Sequence, residues 1–262
     1  MERKRSKWSV VFAIAVVVLV ASLVALGVIG FSYLQGQQKY GKIAENAEMT
    51  VVDVPGGEER VEARVDWDAL KEVNPDTVAW VYVPNTPINY PVVQGSDNEY
   101  YLTHDFEGDQ GWLANYGAIF MDWRNKPDFT DAATFIYGHH MNDGSMFAAI
   151  AQFADQARFD ECRTVYLYTP GGDFTLRSFS LVHCDANDPL VQVSFASDEE
   201  RTAYLQDKVD RSVVYVDDLP ALGDVKKIFA FATCDNASEG RYVLYTYVVE
   251  VSGFADQEAQ GS

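Results

Sequence analysis

The chain reads as a mainly β domain, closed or nearly closed into a barrel, carried behind one membrane-spanning helix. Three observations lead there. Residues 8–34 carry no charge and are dominated by Val, Ala, Leu and Ile. Beyond residue 65, short runs rich in β-branched and aromatic residues recur between turn-forming clusters. Helical patterning in that body is confined to three short insertions.

As a helix, residues 8–34 would extend about 40 Å at roughly 1.5 Å per residue, enough to cross a hydrocarbon core of about 30 Å. A cleaved signal peptide normally has an apolar region of only about 7–15 residues, so a retained anchor fits better. Arg3, Lys4, Arg5 and Lys7 precede the run, and Glu45, Glu48 and Asp53 follow it. The positive-inside rule then predicts residues 1–7 in the cytoplasm and everything beyond about residue 35 outside the cell. Residues 35–64 are rich in Gln, Gly and Glu and are broken by Pro55-Gly56-Gly57. They predict a stalk or partly helical linker.

The body spans residues 65–252, with 253–262 as a tail. Asp66 is placed to cap a short helix that turns Leu70 and Val73 to the core and ends at Asn74-Pro75. Strands are predicted at 77–84, 118–122, 133–137, 164–168, 174–183, 212–216, 227–233 and 241–251. Helices are predicted at 145–153 and 197–210, where Ser197 and Glu200 form a capping box. About eight strands at this spacing suit a barrel, although composition alone does not separate a barrel from a sandwich.

The formal charge is −19, from 20 Lys and Arg against 39 Asp and Glu. So acidic a surface would repel phosphate, which excludes nucleic acid as a partner. The three cysteines, Cys162, Cys184 and Cys234, are odd in number and widely spaced, which excludes a multi-bridge framework or a C-x-x-C metal site. Of the four histidines, His104 reads as structural. His139 and His140 follow Tyr137-Gly138 at the end of an apolar strand, where side chains reach a rim. His183 and Cys184 are adjacent in a strand, so they face opposite sides and do not pair.

Cys234 ends the apolar run 227–233 and precedes a polar loop, after which Arg241 opens the next strand. A hairpin would return Arg241 beside Cys234, since paired strands run about 4.8 Å apart. A permanent cation there lowers a thiol's pKa and can donate to an oxyanion. On these residues alone a buried core cysteine remains the simpler reading, and it is the one held for Cys162 and Cys184.

Longer motifs change that balance. "NPDTVAWVYVPNTPINYPVVQGSDNEYYLTHDFEG" (74–108), "GAIFMDWRN" (117–125), "YGHHMNDGSMF" (137–147) and "ATC" (232–234) followed by Arg241 resemble the sortases, most of all class B. The resemblance covers about residues 66–251. It implies a closed eight-stranded barrel with extra N-terminal and inserted helices. It implies a cysteine transpeptidase with His139, Cys234 and Arg241 as catalytic residues, and sorting-signal contacts at Asn98, Leu102, Tyr137, Leu190, Val191, Thr233 and Asp235. The family's T-L-x-T-C reads Ala230-Phe231-Ala232-Thr233-Cys234 here, and the loop from cysteine to arginine is short.

By the same resemblance the partners are secreted proteins with a C-terminal sorting signal and an amine of the peptidoglycan cross-bridge or stem peptide, and no metal or organic cofactor is needed. The enzyme would cleave the signal after threonine and pass the thioacyl group to that amine. Two other readings share the fold: a pilin polymerase that uses a pilin lysine as acceptor, and an inactive surface binding module.

Overall fold

The computed structural model describes residues 7–53, 59–110, 116–185, 188–189, 191–234 and 240–253. It opens with α1 (Lys7–Ala44), followed by the hairpin β1 (Ala47–Asp53) and β2 (Glu59–Val65). The body then runs α2 (Trp67–Val73), β3 (Thr77–Tyr82), β4 (Asn89–Val93), α3 (Tyr100–Thr103), β5 (Ile119–Met121) and β6 (Ala133–His139). It continues with α4 (Ala148–Gln152), α5 (Gln156–Glu161), β7 (Thr164–Thr169), β8 (Gly172–Cys184), α6 (Asp198–Asp210), β9 (Ile228–Cys234) and β10 (Arg241–Ser252).

Eight strands close into a barrel in the order β10-β8-β7-β3-β4-β5-β6-β9. The β4–β5 and β6–β9 pairs are parallel and the others antiparallel. The core is filled by Trp80, Phe120, Phe135, Phe179, Phe229 and Phe231, all buried. Each such side chain contributes about 1.5–3 kcal/mol through the area it removes from water.

Two strand expectations need correction. Residues 212–216 form no strand: they meet β8 at an isolated bridge between Ser212 and Val182, with Val213 N–H donating to the Leu181 carbonyl and Leu181 N–H to the Ser212 hydroxyl. Val213 and Tyr215 are exposed there, and the Ser212 hydroxyl bonds Val214 locally. The missing strand is β4, which Pro91 disguises, since proline donates nothing to a ladder. Pro91 is tolerated because it lies before β4 meets β5, whose pairing starts at Val92. The helix expected at 145–153 is only α4, while 197–210 is α6, with the Ser197 side chain accepting from the Glu200 N–H. In return the Glu200 carboxylate accepts from the Ala196 N–H at 2.6 Å.

The segment 35–64, expected as a stalk or partly helical linker, is helical in its first part and packs on the barrel. Helix α1 continues unbroken to Ala44. Its apolar side chains as far as Leu34 are largely exposed, and it is long and apolar enough to cross a membrane. At Tyr33, Gly36, Tyr40, Ile43 and Ala44 the helix turns a helical-period face onto the barrel. Polar neighbours in the sequence hid that spacing. The β1–β2 hairpin is tied down as well, by Arg60 to Glu250 (2.7 Å) and by the Tyr168 hydroxyl donating to the Val61 carbonyl (2.8 Å). The Pro55-Gly56-Gly57 break lies outside the described residues.

Asp122, immediately after β5, is fully buried and gathers the rim around it. Its carboxylate accepts from the Tyr137 hydroxyl (2.8 Å), the Asn98 amide (2.9 Å), and Nε and Nη2 of Arg124 (both 2.9 Å). Burial alone would raise this carboxyl, but the bonds from Arg124, Asn98 and Tyr137 outweigh it and hold the group below its ordinary value.

Two outcomes are expected. Gly36→Ala would set a Cβ 2.2 Å from the ring of Tyr116. Thermal unfolding of the full chain in detergent should then show a loss of about 1–3 kcal/mol, the usual cost of overpacking. Asp122→Asn should cost about 1–3 kcal/mol by leaving buried donors short of an acceptor. Because the folded value is depressed, that difference should be full above pH 3.8, the ordinary carboxyl value. It should fade as pH falls further, which paired melting curves against pH would read.

Candidate active site

The site lies at one rim of the barrel, where β6, β9 and β10 stand side by side. In the parallel β6–β9 ladder, His139 is the register partner of Cys234. The β9–β10 ladder pairs Ala232 with Val243. Continued outward by two residues, that register brings Arg241 opposite Cys234. His139, about a hundred residues earlier, thus sits at one level with Cys234 and Arg241 on three adjacent strands. Thr233 locks the corner: it is buried, and its hydroxyl accepts from the Tyr242 N–H at 3.0 Å.

His139 is half-buried, and its Nε2 lies 2.6 Å from the carbonyl oxygen of Leu102. A carbonyl only accepts, so Nε2 must carry a proton and donate. That fixes the tautomer and leaves Nδ1 as the nitrogen able to gain or lose a proton. Among the described residues His139 Nδ1 is buried without a hydrogen-bond partner, and so is Nε of Arg241. Buried polar atoms are normally paired, and two that are not, both flanking Cys234 in register, mark a place for something else to bind.

Gly117 completes the histidine's surroundings. Its φ is +54°, and a Cβ there would stand 2.7 Å from the Tyr101 carbonyl oxygen and 2.8 Å from His139 Cδ2. Only glycine allows this approach. The sequence carried the signal, as the first residue of "GAIFMDWRN", but nothing in spacing linked it to His139.

The other expected positions divide. Leu102 contributes its carbonyl to His139, and its side chain packs half-buried on the core. Tyr137 and Asn98 both reach Asp122, and the Asn98 side-chain Oδ1 also accepts from the Trp123 N–H at 3.0 Å. Val191 is half-buried against the core, in a stretch that reaches β6 through Ala133 N–H to the Val193 carbonyl. Leu190 and Asp235 lie outside the described residues.

The remaining candidates keep structural roles. The His104 ring stacks on Tyr100 at 3.9 Å, with Nδ1 2.9 Å from the Tyr100 carbonyl oxygen. His183 stacks on Tyr242, on the exposed side, while Cys184 is buried. Burial pushes the thiols of Cys162 and Cys184 up, which keeps both protonated and poorly nucleophilic. Among the described residues no group of three or more His, Cys, Asp or Glu is placed to hold a metal ion.

This arrangement has close company among known proteins. The sortase domain model matches residues 81–249. Sortase B of Staphylococcus aureus (strain NCTC 8325 / PS 47) is 26% identical over 227 residues, covering 84% of this chain and 89% of that protein. Sortase B of Listeria monocytogenes serovar 1/2a (strain ATCC BAA-679 / EGD-e) is 32% identical over 187 residues, covering 70% of this chain and 74% of that protein. The crystal structure of sortase B from B. anthracis in complex with AAEK1 aligns with a TM-score of 0.70 at 29% identity, over 84% of this chain and 99% of that one. The barrel and its relatives lead to one conclusion: the chain belongs to the sortase family of cysteine transpeptidases, and it is sortase B-like within it.

Proposed function

We propose that this sortase cleaves a C-terminal sorting signal after threonine and joins the released carboxyl end to a peptidoglycan amine outside the cell. Cys234, as thiolate, attacks the threonine carbonyl carbon and forms a C–S bond. Arg241 stabilises the resulting oxyanion or holds the signal's backbone. His139 gives its Nδ1 proton to the departing amine as the C–N bond breaks. The incoming amine then attacks the thioacyl carbon, His139 takes its proton, and the thiolate leaves. Asn98, Leu102, Tyr137, Leu190, Val191, Thr233 and Asp235 line the signal's path, with Asn98 and Tyr137 held rigid by Asp122. The apolar part of α1 anchors the enzyme, with the N-terminus in the cytoplasm.

The observation that carries this reading is the common level of His139, Cys234 and Arg241 on adjacent strands, with an unpartnered buried nitrogen on each side of the cysteine.

The test uses the full chain in detergent with a panel of quenched fluorescent sorting-signal peptides, with and without triglycine or diaminopimelate. Wild type should cleave at least one peptide and give an amine adduct by mass spectrometry. Cys234→Ala and His139→Ala should be inactive. Arg241→Ala should lose about 10²–10³-fold in kcat/KM, the usual cost of one oxyanion donor. Cleavage by Cys234→Ala at the wild-type rate would overturn the proposal.

A further inference from the structure

The helix expected to serve only as an anchor ends against the residues that hold His139. The Tyr40 hydroxyl is buried, donates to the Gly117 carbonyl at 2.6 Å and accepts from the Phe106 N–H at 3.3 Å. It therefore bridges the two ends of the chain between α3 and β5. One of those ends, Gly117, lies so near the His139 ring that a Cβ on it would clash there, and α3 supplies the Leu102 carbonyl on Nε2. The two are also tied to each other by Ala118 N–H to the Tyr101 carbonyl at 3.0 Å.

One residue earlier, Lys39 sets its ammonium among Asp105 (2.6 Å), Asp109 (2.7 Å) and Glu107 (2.9 Å), all in the same connection. The other flank of His139 is held too. Gln37 donates to Asp143 at 3.1 Å, and the Tyr116 hydroxyl lies 2.6 Å from the same carboxylate and 2.9 Å from the Tyr33 carbonyl. That loop returns to the histidine through Phe147 N–H to the His139 carbonyl at 2.9 Å.

From these contacts we infer that Tyr40 and Lys39, at the end of the anchor helix, are positioning residues for His139. The catalytic unit accordingly begins near residue 33 rather than at 65. This rests on the reading of His139 as the acid–base group. Tyr40 acts through Gly117 and Phe106 and touches no substrate. Its contribution is angular: without the hydroxyl, Gly117 loses one of the ties that hold it beside the imidazole, and Nδ1 loses its aim at the reacting bond. Displacements of about 1 Å at such a group can cost 10²-fold in rate. Burial, reinforced by the charge of Asp105, keeps the Tyr40 hydroxyl protonated, so it is a donor throughout the working pH range.

The experiment compares full-length variants in detergent by steady-state kinetics on a cleaved peptide, alongside thermal unfolding. Tyr40→Phe removes one oxygen and keeps the ring. Tyr168→Phe is the control, because it removes an equivalent hydroxyl-to-carbonyl bond, to Val61, on the opposite side of the fold. Lys39→Met tests the same support from a partly exposed position.

Tyr40→Phe should lower kcat about 10–100-fold with KM within about twofold, as expected for loss of alignment rather than of binding. Lys39→Met should show the same pattern, and Tyr168→Phe should keep wild-type kcat at a similar loss of melting temperature. Wild-type kcat in Tyr40→Phe and Lys39→Met, with His139→Ala inactive, would overturn the positioning role and leave the catalytic assignment standing. An equal kcat loss in Tyr168→Phe would reduce the effect to general stability and overturn it as well. Activity in His139→Ala would remove the catalytic reading itself.

Discussion

The parallel pairing of β6 with β9 is the constraint on which the rest of the molecule depends. Parallel neighbours cannot be joined by a tight turn and need a long crossover. Here the crossover is residues 140–227, which hold α4, α5, β7, β8 and α6. The reward for so long a detour is a shared register at the rim, with His139 and Cys234 at the same rung. Slipping that ladder by one residue would turn every inward side chain of one strand outward. Phe135 on one face of the ladder and Phe229 and Phe231 on the other therefore hold the register of the candidate site while filling the core.

A second economy concerns polar groups. The rim needs a tyrosine, an asparagine and an arginine near an apolar interior, each with donors that require partners. One carboxylate, Asp122, satisfies all three. The same residue fixes its own segment through Asp122 N–H to the Phe135 carbonyl. The price is a buried charge, stable only because the surrounding donors are complete.

Much of this was legible in the sequence. The barrel strands at 77–82, 133–139, 164–169 and 228–234 announce themselves through β-branched and aromatic runs, and α6 through its capping serine. What stayed hidden has identifiable causes. Pro91 made a true strand look like a loop, while Val213 and Tyr215 lent a loop the composition of a strand. The docking face of α1 is written in Gly36 and Tyr40 among glutamines and lysines, so its period vanished into an apparent linker. Within the site, the identities of His139, Cys234 and Arg241 came from motif resemblance, and only strand register explains why they can meet. The Leu102 carbonyl could not have been found, because a backbone oxygen leaves no mark in side-chain chemistry.

The unbroken course of α1 has a mechanical corollary. A flexible leash would let the barrel sample a broad shell above a bilayer, but a continuous helix sets its altitude. If the apolar run ahead of Tyr33 spans a membrane, as proposed, barrel contacts at Tyr33 and Tyr40 follow at once, about 10 Å of helix apart at the usual rise. On the proposed anchoring, the barrel would be held at a nearly constant height above the lipid surface. On that same reading, a polypeptide still held at the membrane would pass within its reach, whereas one farther out would not. Selectivity for newly arriving chains would thus follow from rigid geometry, before any side chain has read a motif.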